Sequence, residues 1–283
     1  MKKLSIIPIL ILMLHFIGLN AHADNLEYTI INGKATVTGY TGKPKNLDIP
    51  SELDGAPVVE IRDNAFYKCT SLQTVSLPES LEKMGHHCFF GCTSLKNINI
   101  PDSVSEIGMG CFYGCSSLNE AVLSENLTIL PDSCFRDCIS LNAVILPQNI
   151  TEIQKFCFAG CSSLSVVSLS GHLTDVGDLA FYACFSIKEI YIPDSVQNIG
   201  THSLGYGENG AVPEFSITGK IGSAAEKYAV QNGFVFSEQP SSVDAFAFDE
   251  SWNSPVNLPE IFLFAGLFFL IMAIISALRN NRS

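Results

Sequence analysis

Basic residues are scarce in this chain. Between Asp24 and Asn257 there are 12 Lys and Arg against 27 Asp and Glu, a net charge of about −15. Such a surface repels a phosphate backbone, which argues against nucleic acid as a partner and against docking to anionic surfaces by charge alone. It favours solubility, or a basic partner. The usual marks of catalysis are missing as well. No Gly-rich phosphate loop and no isolated carboxylate pair stands out. Four histidines follow residue 23 (His86, His87, His172 and His202), and none is spaced against a nucleophile or within a metal motif. They read as solvated surface groups. The sequence makes no case for an enzyme, a cofactor or a metal site.

What the chain does have is a period. Cys69, Cys92, Cys115, Cys138, Cys161 and Cys184 stand 23 residues apart without a slip. A phenylalanine precedes each by three positions (Phe66, Phe89, Phe112, Phe135, Phe158, Phe181), and a serine follows each by two (Ser71, Ser94, Ser117, Ser140, Ser163, Ser186). Aliphatic columns keep the same step, among them Leu72 to Ile187, Val75 to Ile190, Leu77 to Ile192, Leu81 to Val196 and Met84 to Ile199. A fixed period of this length marks a solenoid, in which no unit can bury its apolar side alone.

The step of two around Val75 and Leu77 predicts a short strand with these side chains inward and Thr74 and Ser76 outward. Prolines at 78, 101, 147 and 193 end that strand. The run Cys88-Phe89-Phe90-Gly91-Cys92 and its variants predict a short helical or 3₁₀ turn, with both cysteines and the first phenylalanine inward. Tyr113, one position after Phe112, is then expected at the surface. The repeated serine is expected to bond backbone groups left open at a turn. The fold class is therefore an α/β solenoid, a stack of 23-residue coils of strand plus short helical turn.

Ten cysteines in an exported chain raise the question of disulfides. Cys88 and Cys92 on one helical turn would form a strained bridge. Small, buried, inward thiols account for the column, with bridges between adjacent coils as the alternative. Zinc fits poorly, because C-x₃-C recurs without histidine partners and is spread along the solenoid axis. The sequons at Asn126 and Asn149 fall on equivalent turn positions and read as turn asparagines.

The segment Ile100-Pro101-Asp102-Ser103-Val104-Ser105-Glu106-Ile107-Gly108, followed by Cys111-Phe112-Tyr113-Gly114-Cys115-Ser116-Ser117-Leu118, closely resembles the BspA-type leucine-rich repeat of bacterial surface proteins. The resemblance runs from about residue 26 to 236. Residues 49–58 resemble that family's first repeat, and residues 221–229 its closing helix. It departs from the family where Cys88, Cys111, Cys134 and Cys157 replace a small residue, which Ala65 and Ala180 retain. The resemblance implies a surface-displayed binding protein, and does not specify the ligand.

The ends carry their own signals. Residues 1–23 have a basic start, an apolar run and Ala21-His22-Ala23, the plan of a cleaved secretory signal. Residues 24–48 contain an alternating hairpin around Asn32-Gly33, expected as an N-terminal β cap. The solenoid is assigned to residues 49–207, a C-terminal cap to 208–236 and a polar linker to 237–257. An uncharged apolar run from Ile261 to Leu278 then predicts a transmembrane helix, assigned to 258–278, with 279–283 as a basic cytoplasmic tail. Leu258-Pro259-Glu260-Ile261-Phe262 also resembles a degenerate sortase signal. Ile261 and Phe262 stand where that signal has Thr-Gly, so a retained helix is expected. The domain would then be outside the cell on a single membrane anchor.

The candidate binding surface is the outward row of the strands. One column reads Thr74, Asn97, Glu120, Ala143, Val166, Glu189, and the other Ser76, Asn99, Val122, Ile145, Ser168, Tyr191. Val122, Ile145, Val166 and Tyr191 make its C-terminal half apolar, bracketed by Glu120 and Glu189. Such patches mark interaction sites, although β-branched residues are also ordinary on a solvated strand. The expected role is protein-protein interaction or adhesion through this face, with a protein on a host or neighbouring cell as the partner. The alternatives are a ligand-free structural spacer and a glycan binder, and the latter would need more aromatics on this face than Tyr191.

Overall fold

The computed structural model describes residues 25–238. The expected signal segment, membrane span, tail and sortase-like sequence lie outside these residues, as does all but the start of the linker. Among the described residues no helix is long and apolar enough to cross a membrane.

The 23-residue period becomes a solenoid of about nine turns. Each repeat contributes a three-residue front strand: Thr74–Ser76, Asn97–Asn99, Glu120–Val122, Ala143–Ile145, Val166–Ser168 and Glu189–Tyr191. Neighbouring coils pair in parallel and in register, Asn97 with Glu120 and Ala143 with Val166. A second, rear ladder was not anticipated. It consists of two-residue strands at Lys83–Met84, Glu106–Ile107, Ile129–Leu130, Glu152–Ile153, Asp175–Val176 and Asn198–Ile199. Two residues are too few for a period of two to register in a sequence, so only the inward column Met84 to Ile199 hinted at it.

The expected helical turn is absent, and this corrects the strand-plus-helical-turn coil. Between the rear and front strands the chain makes a corner of successive tight turns. Two residues per corner, four apart, have left-handed backbones: Asn64 and Lys68, His87 and Gly91, Gly110 and Gly114, Ser133 and Asp137, Phe156 and Gly160, Leu179 and Ala183. A right-handed helix cannot continue through such residues. They turn alternate amides along the solenoid axis. The N–H groups of Phe89, Phe112, Phe135 and Phe158 donate to Cys111, Cys134, Cys157 and Ala180 of the next coil at 2.7–2.9 Å. The amides between them close local turns, as Phe90 to His87 and Cys92 to Phe89. Gly91, Gly114 and Gly160, each just before a cysteine, were the available clue, because glycine disfavours helices and accepts left-handed φ.

The core forms around two columns from this corner. Phe66, Phe89, Phe112, Phe135, Phe158 and Phe181 are buried and stack in sequence with centroids 5.1–5.7 Å apart and planes within 15°. Beside them, Cys92, Cys115, Cys138, Cys161 and Cys184 donate their S–H to the carbonyls of Phe66, Phe89, Phe112, Phe135 and Phe158 at 3.1–3.2 Å. Burial pushes the thiols of Cys138, Cys157 and Cys184 well up, which keeps them protonated. All ten cysteines are free thiols in the structure, and nine are buried. Tyr113 is half-buried rather than exposed, because the tilted Phe90 ring packs against it with centroids 4.8 Å apart and the Arg136 guanidinium lies 5.2 Å from its ring centre.

Polar side chains finish the coils. Ser71, Ser140 and Ser186 of the serine column donate to carbonyls of Pro44, Ser116 and Ser162 at 2.7–2.9 Å, as a turn ladder requires. Where the strand-ending proline is replaced, at Ser124 and Ser170, the buried hydroxyl accepts from the amide two residues on and donates to the preceding coil. At the N-terminal end, β1 (Leu26–Ile31) and β2 (Lys34–Tyr40) pair antiparallel around Asn32-Gly33, both at positive φ. β2 then pairs in parallel with Ala56–Ile61, which leads into the rear ladder. At the other end, Ser216–Gly219 pairs with Glu189–Tyr191 and with Val235–Glu238. Helix α1 (Ala224–Asn232) packs there, and its Tyr228 hydroxyl meets both the N–H and the carbonyl of Leu204 at 3.0 Å.

Three substitutions check this packing. Phe135→Ala empties the middle of the aromatic stack and should cost about 3–5 kcal/mol by chemical denaturation. Tyr67→Ala, at 46% exposure, should cost about 1 kcal/mol, which is mainly the lost stacking on Phe90. Ala183→Gly relieves a left-handed alanine at φ 59° and should raise stability by up to about 1 kcal/mol after the entropy cost of glycine. A loss on Ala183→Gly would show that the corner is built differently.

Candidate interaction surface

The front ladder decides what faces outward. In a parallel ladder of three-residue strands the central side chain points into the core and the outer two point away. Ile98, Val144 and Ile190 are buried, while Thr74, Asn97, Glu120, Val166 and Glu189 are exposed. In the second column Ser76, Asn99 and Tyr191 are exposed, and Val122, Ile145 and Ser168 are half-buried. The six sequence-selected residues therefore lie on one face across four coils. Val122 and Ile145 are neighbours in one column, and Val166 sits beside them with Ala143. Glu120 and Glu189 are separated by three coil steps, roughly 14 Å at the usual strand spacing.

The polar contacts on this face are few. Glu189 Oε1 accepts from Thr218 Oγ1 at 2.6 Å, which fixes that carboxylate at the C-terminal border. Partial burial, with the Asp194 carboxylate nearby, pushes the Tyr191 phenol up, so it stays neutral and able to donate. Val166 is 36% and Tyr191 40% exposed. A shallow, solvent-open depression lies elsewhere on the face, over Asn46–Asp48 and Thr74–Ser76, whose outward side chains Asn46, Asp48, Thr74 and Ser76 are polar.

A second surface row escaped the sequence reading. Along the corner Tyr67 stacks on Phe90 with centroids 4.8 Å apart, Tyr113 meets Phe90 at the same distance but tilted by 59°, and Arg136 continues the row between Tyr113 and Phe156. Lys68 Nζ lies over the Tyr67 ring, 5.2 Å from its centre. Each ring of the row therefore has an aromatic or cationic neighbour. Tyrosine, phenylalanine and arginine in one column do not look alike as letters, which is why the row was missed.

The histidines lie at the surface as expected, with His86, His172 and His202 exposed and His87 half-buried, but each also has a protein neighbour. His86 Nδ1 accepts the Met109 amide at 2.9 Å, while the His86 amide donates to Asp63 Oδ1 at 2.7 Å. His172 Nδ1 lies 2.9 Å from the Gln148 carbonyl, where Asn126 and Asn149 of equivalent turns place their side-chain amides against Asp102 and Glu125 carbonyls. His87 packs edge-on to Phe90, and His202 against Tyr206. His86, His172 and both sequon asparagines thus serve coil-to-coil contacts. Among the described residues no cluster of His, Cys, Asp and Glu is arranged to hold a metal ion.

A family model for the BspA type leucine rich repeat region matches six copies, over residues 40–164, 91–209 and 128–252. Among solved structures the chain is similar to the leucine rich repeat protein TpLRR of T. pallidum, at 28% identity and TM-score 0.58, covering 77% of this chain and 98% of that one. It is similar to a leucine rich cell surface protein of Faecalibacterium prausnitzii A2-165, at 26% identity and TM-score 0.54, over 70% of this chain and 54% of that one. A leucine-rich repeat protein of Eubacterium ventriosum ATCC 27560, at 21% identity and TM-score 0.56, covers 66% of this chain and 51% of that one and bears on the fold alone. No curated protein matches.

If the outward side chains are free of the core, Val166→Lys and Tyr191→Ala should each change stability by less than about 1 kcal/mol. Thermal unfolding of the two variants measures this directly, and a loss as large as that at Phe135 would mean that the face is packed rather than presented.

Proposed function

The chain belongs to the BspA type leucine-rich repeat family, and we propose that it is a membrane-anchored cell-surface protein that binds another protein through its front ladder. The observation that carries the reading is the grouping of Val122, Ile145, Val166 and Tyr191 on a face whose N-terminal half is Thr, Ser and Asn. Apolar and aromatic side chains supply contact area at low entropic cost, and tyrosine anchors interfaces well. Glu120 and Glu189 at either end of the patch select a partner with basic groups, in keeping with the acidic chain. The hairpin β1–β2 and helix α1 act as caps over the open ends of the stack. Residues 1–23 direct export and 258–278 hold the domain outside the cell, with 279–283 as the inner stop. The cell-surface description of the F. prausnitzii relative supports that placement.

Glycan binding has less support. Sugar rings stack on open aromatic faces, and in the corner row Tyr67 is stacked on Phe90 and lies under Lys68, while Tyr113 lies between Phe90 and the Arg136 guanidinium. A ligand-free spacer remains the contrasting reading, and one experiment separates it from binding. The folded outer domain, residues 24–240, is titrated onto intact host and bacterial cells beside a Val166→Lys/Tyr191→Ala variant and an Asn97→Lys control on the polar half. Binding that falls at least tenfold in the double variant and little in the control is the expected result. Equal retention of both, or no saturable binding to any cell type, would favour the spacer.

A further inference from the structure

Two columns of thiols run through the core, and their sulfurs have different neighbours. From Cys92 to Cys184 each S–H is turned onto a phenylalanine carbonyl of the preceding coil. In the other column, Cys88 and Cys111 have turned sulfur to sulfur, with Sγ atoms 3.2 Å apart. Both are fully buried. They occupy the same position in adjacent coils, where Phe66 N donates to Cys88 O at 2.8 Å and Phe89 N to Cys111 O at 2.9 Å. A coil step of about 4.8 Å lies inside the Cα separation of about 4.4–6.8 Å that a disulfide accepts. Closing the sulfurs to a bond of about 2.05 Å requires roughly 1 Å of approach. Cys92 and Cys115 also influence each other, but each of those thiols is held by its own carbonyl.

We propose that Cys88 and Cys111 are an oxidisable pair, a modification site that staples two adjacent coils when the chain meets a disulfide donor. One of the two, as thiolate, attacks the donor disulfide, forming a mixed disulfide and releasing one donor thiol. The second cysteine sulfur then displaces the other donor thiol and closes the Cys88–Cys111 bond. With oxidised glutathione as donor, the protein loses two hydrogens and two molecules of reduced glutathione form. Burial, with Cys88 beside it, pushes the Cys111 thiol well up, so thiolate is scarce in the closed stack. Attack therefore proceeds while the N-terminal coils are open, either during folding or by local opening.

The test uses the full chain, reduced and desalted, incubated with excess oxidised glutathione, then denatured in alkylating reagent and mapped by non-reducing peptide mass spectrometry. The expected product has Cys88 joined to Cys111, the other eight of the ten cysteines alkylated, and a raised thermal midpoint that dithiothreitol returns to its starting value. Cys88→Ala, which matches Ala65 and Ala180 in the same column, should fold and show no replacement bond, while Cys134→Ala should leave the bond intact. Alkylation of all ten cysteines after prolonged exposure, a bond formed preferentially at Cys92–Cys115, or a cross-link that persists in Cys88→Ala would each overturn the proposal.

Discussion

Alternate amides of each corner point along the stack instead of around the coil. Phe89, Phe112 and Phe135 donate to the next coil, as do Gly91, Gly114 and Asp137 two residues later. A coil on its own would leave these donors unmade, and a buried unmade donor costs about 1–3 kcal/mol. The left-handed residues that aim them are themselves unfavourable by about 1–2 kcal/mol where they are not glycine. The corner is therefore stable only between neighbours, and the phenylalanine stack and cysteine column beside it depend on the same register. One inserted residue would misplace the corner donors, the ring and the thiol together. This is the physical reason for a period of 23 kept from Cys69 to Cys184.

With the corner and rear ladder holding the stack, the front strands are free to vary outward. Their central residues are constrained to be apolar, while positions such as Thr74, Asn97, Glu120 and Val166 are not needed for the core. The face can then change from polar to apolar along one molecule without changing the fold. That separation is what makes a solenoid useful as an interaction scaffold, because the surface is set by side chains that the stack does not use.

The sequence was most readable where one residue type serves one role in every coil. Phe66 to Phe181 and the inward aliphatic columns predicted the solenoid, its front strands and its outward face. It was less readable where different residues do one job. Asp63, His86 and Asp178 each accept an amide 23 residues on, and Tyr113 and Arg136 share one stack, yet neither set forms a column of like letters. The helical turn was misjudged for a different reason. Apolar spacing of i, i+1 and i+4 fits a helix, but it also fits two turns joined by left-handed residues. Gly91 and Gly114 favoured the second reading, although Lys68, Asp137 and Ala183 in the same column masked the signal.

Amide hydrogen exchange, resolved by residue, tests the coil-to-coil corner most directly. The N–H groups of Phe89, Phe112, Phe135 and Phe158 should be among the slowest, exchanging with a free energy close to that of global unfolding. Those of Phe90, Tyr113 and Arg136, which close only local turns, should exchange faster in an alternating pattern through successive corners. Uniform protection along each corner, or fast exchange at the phenylalanine amides, would contradict the account and restore a helical turn in their place.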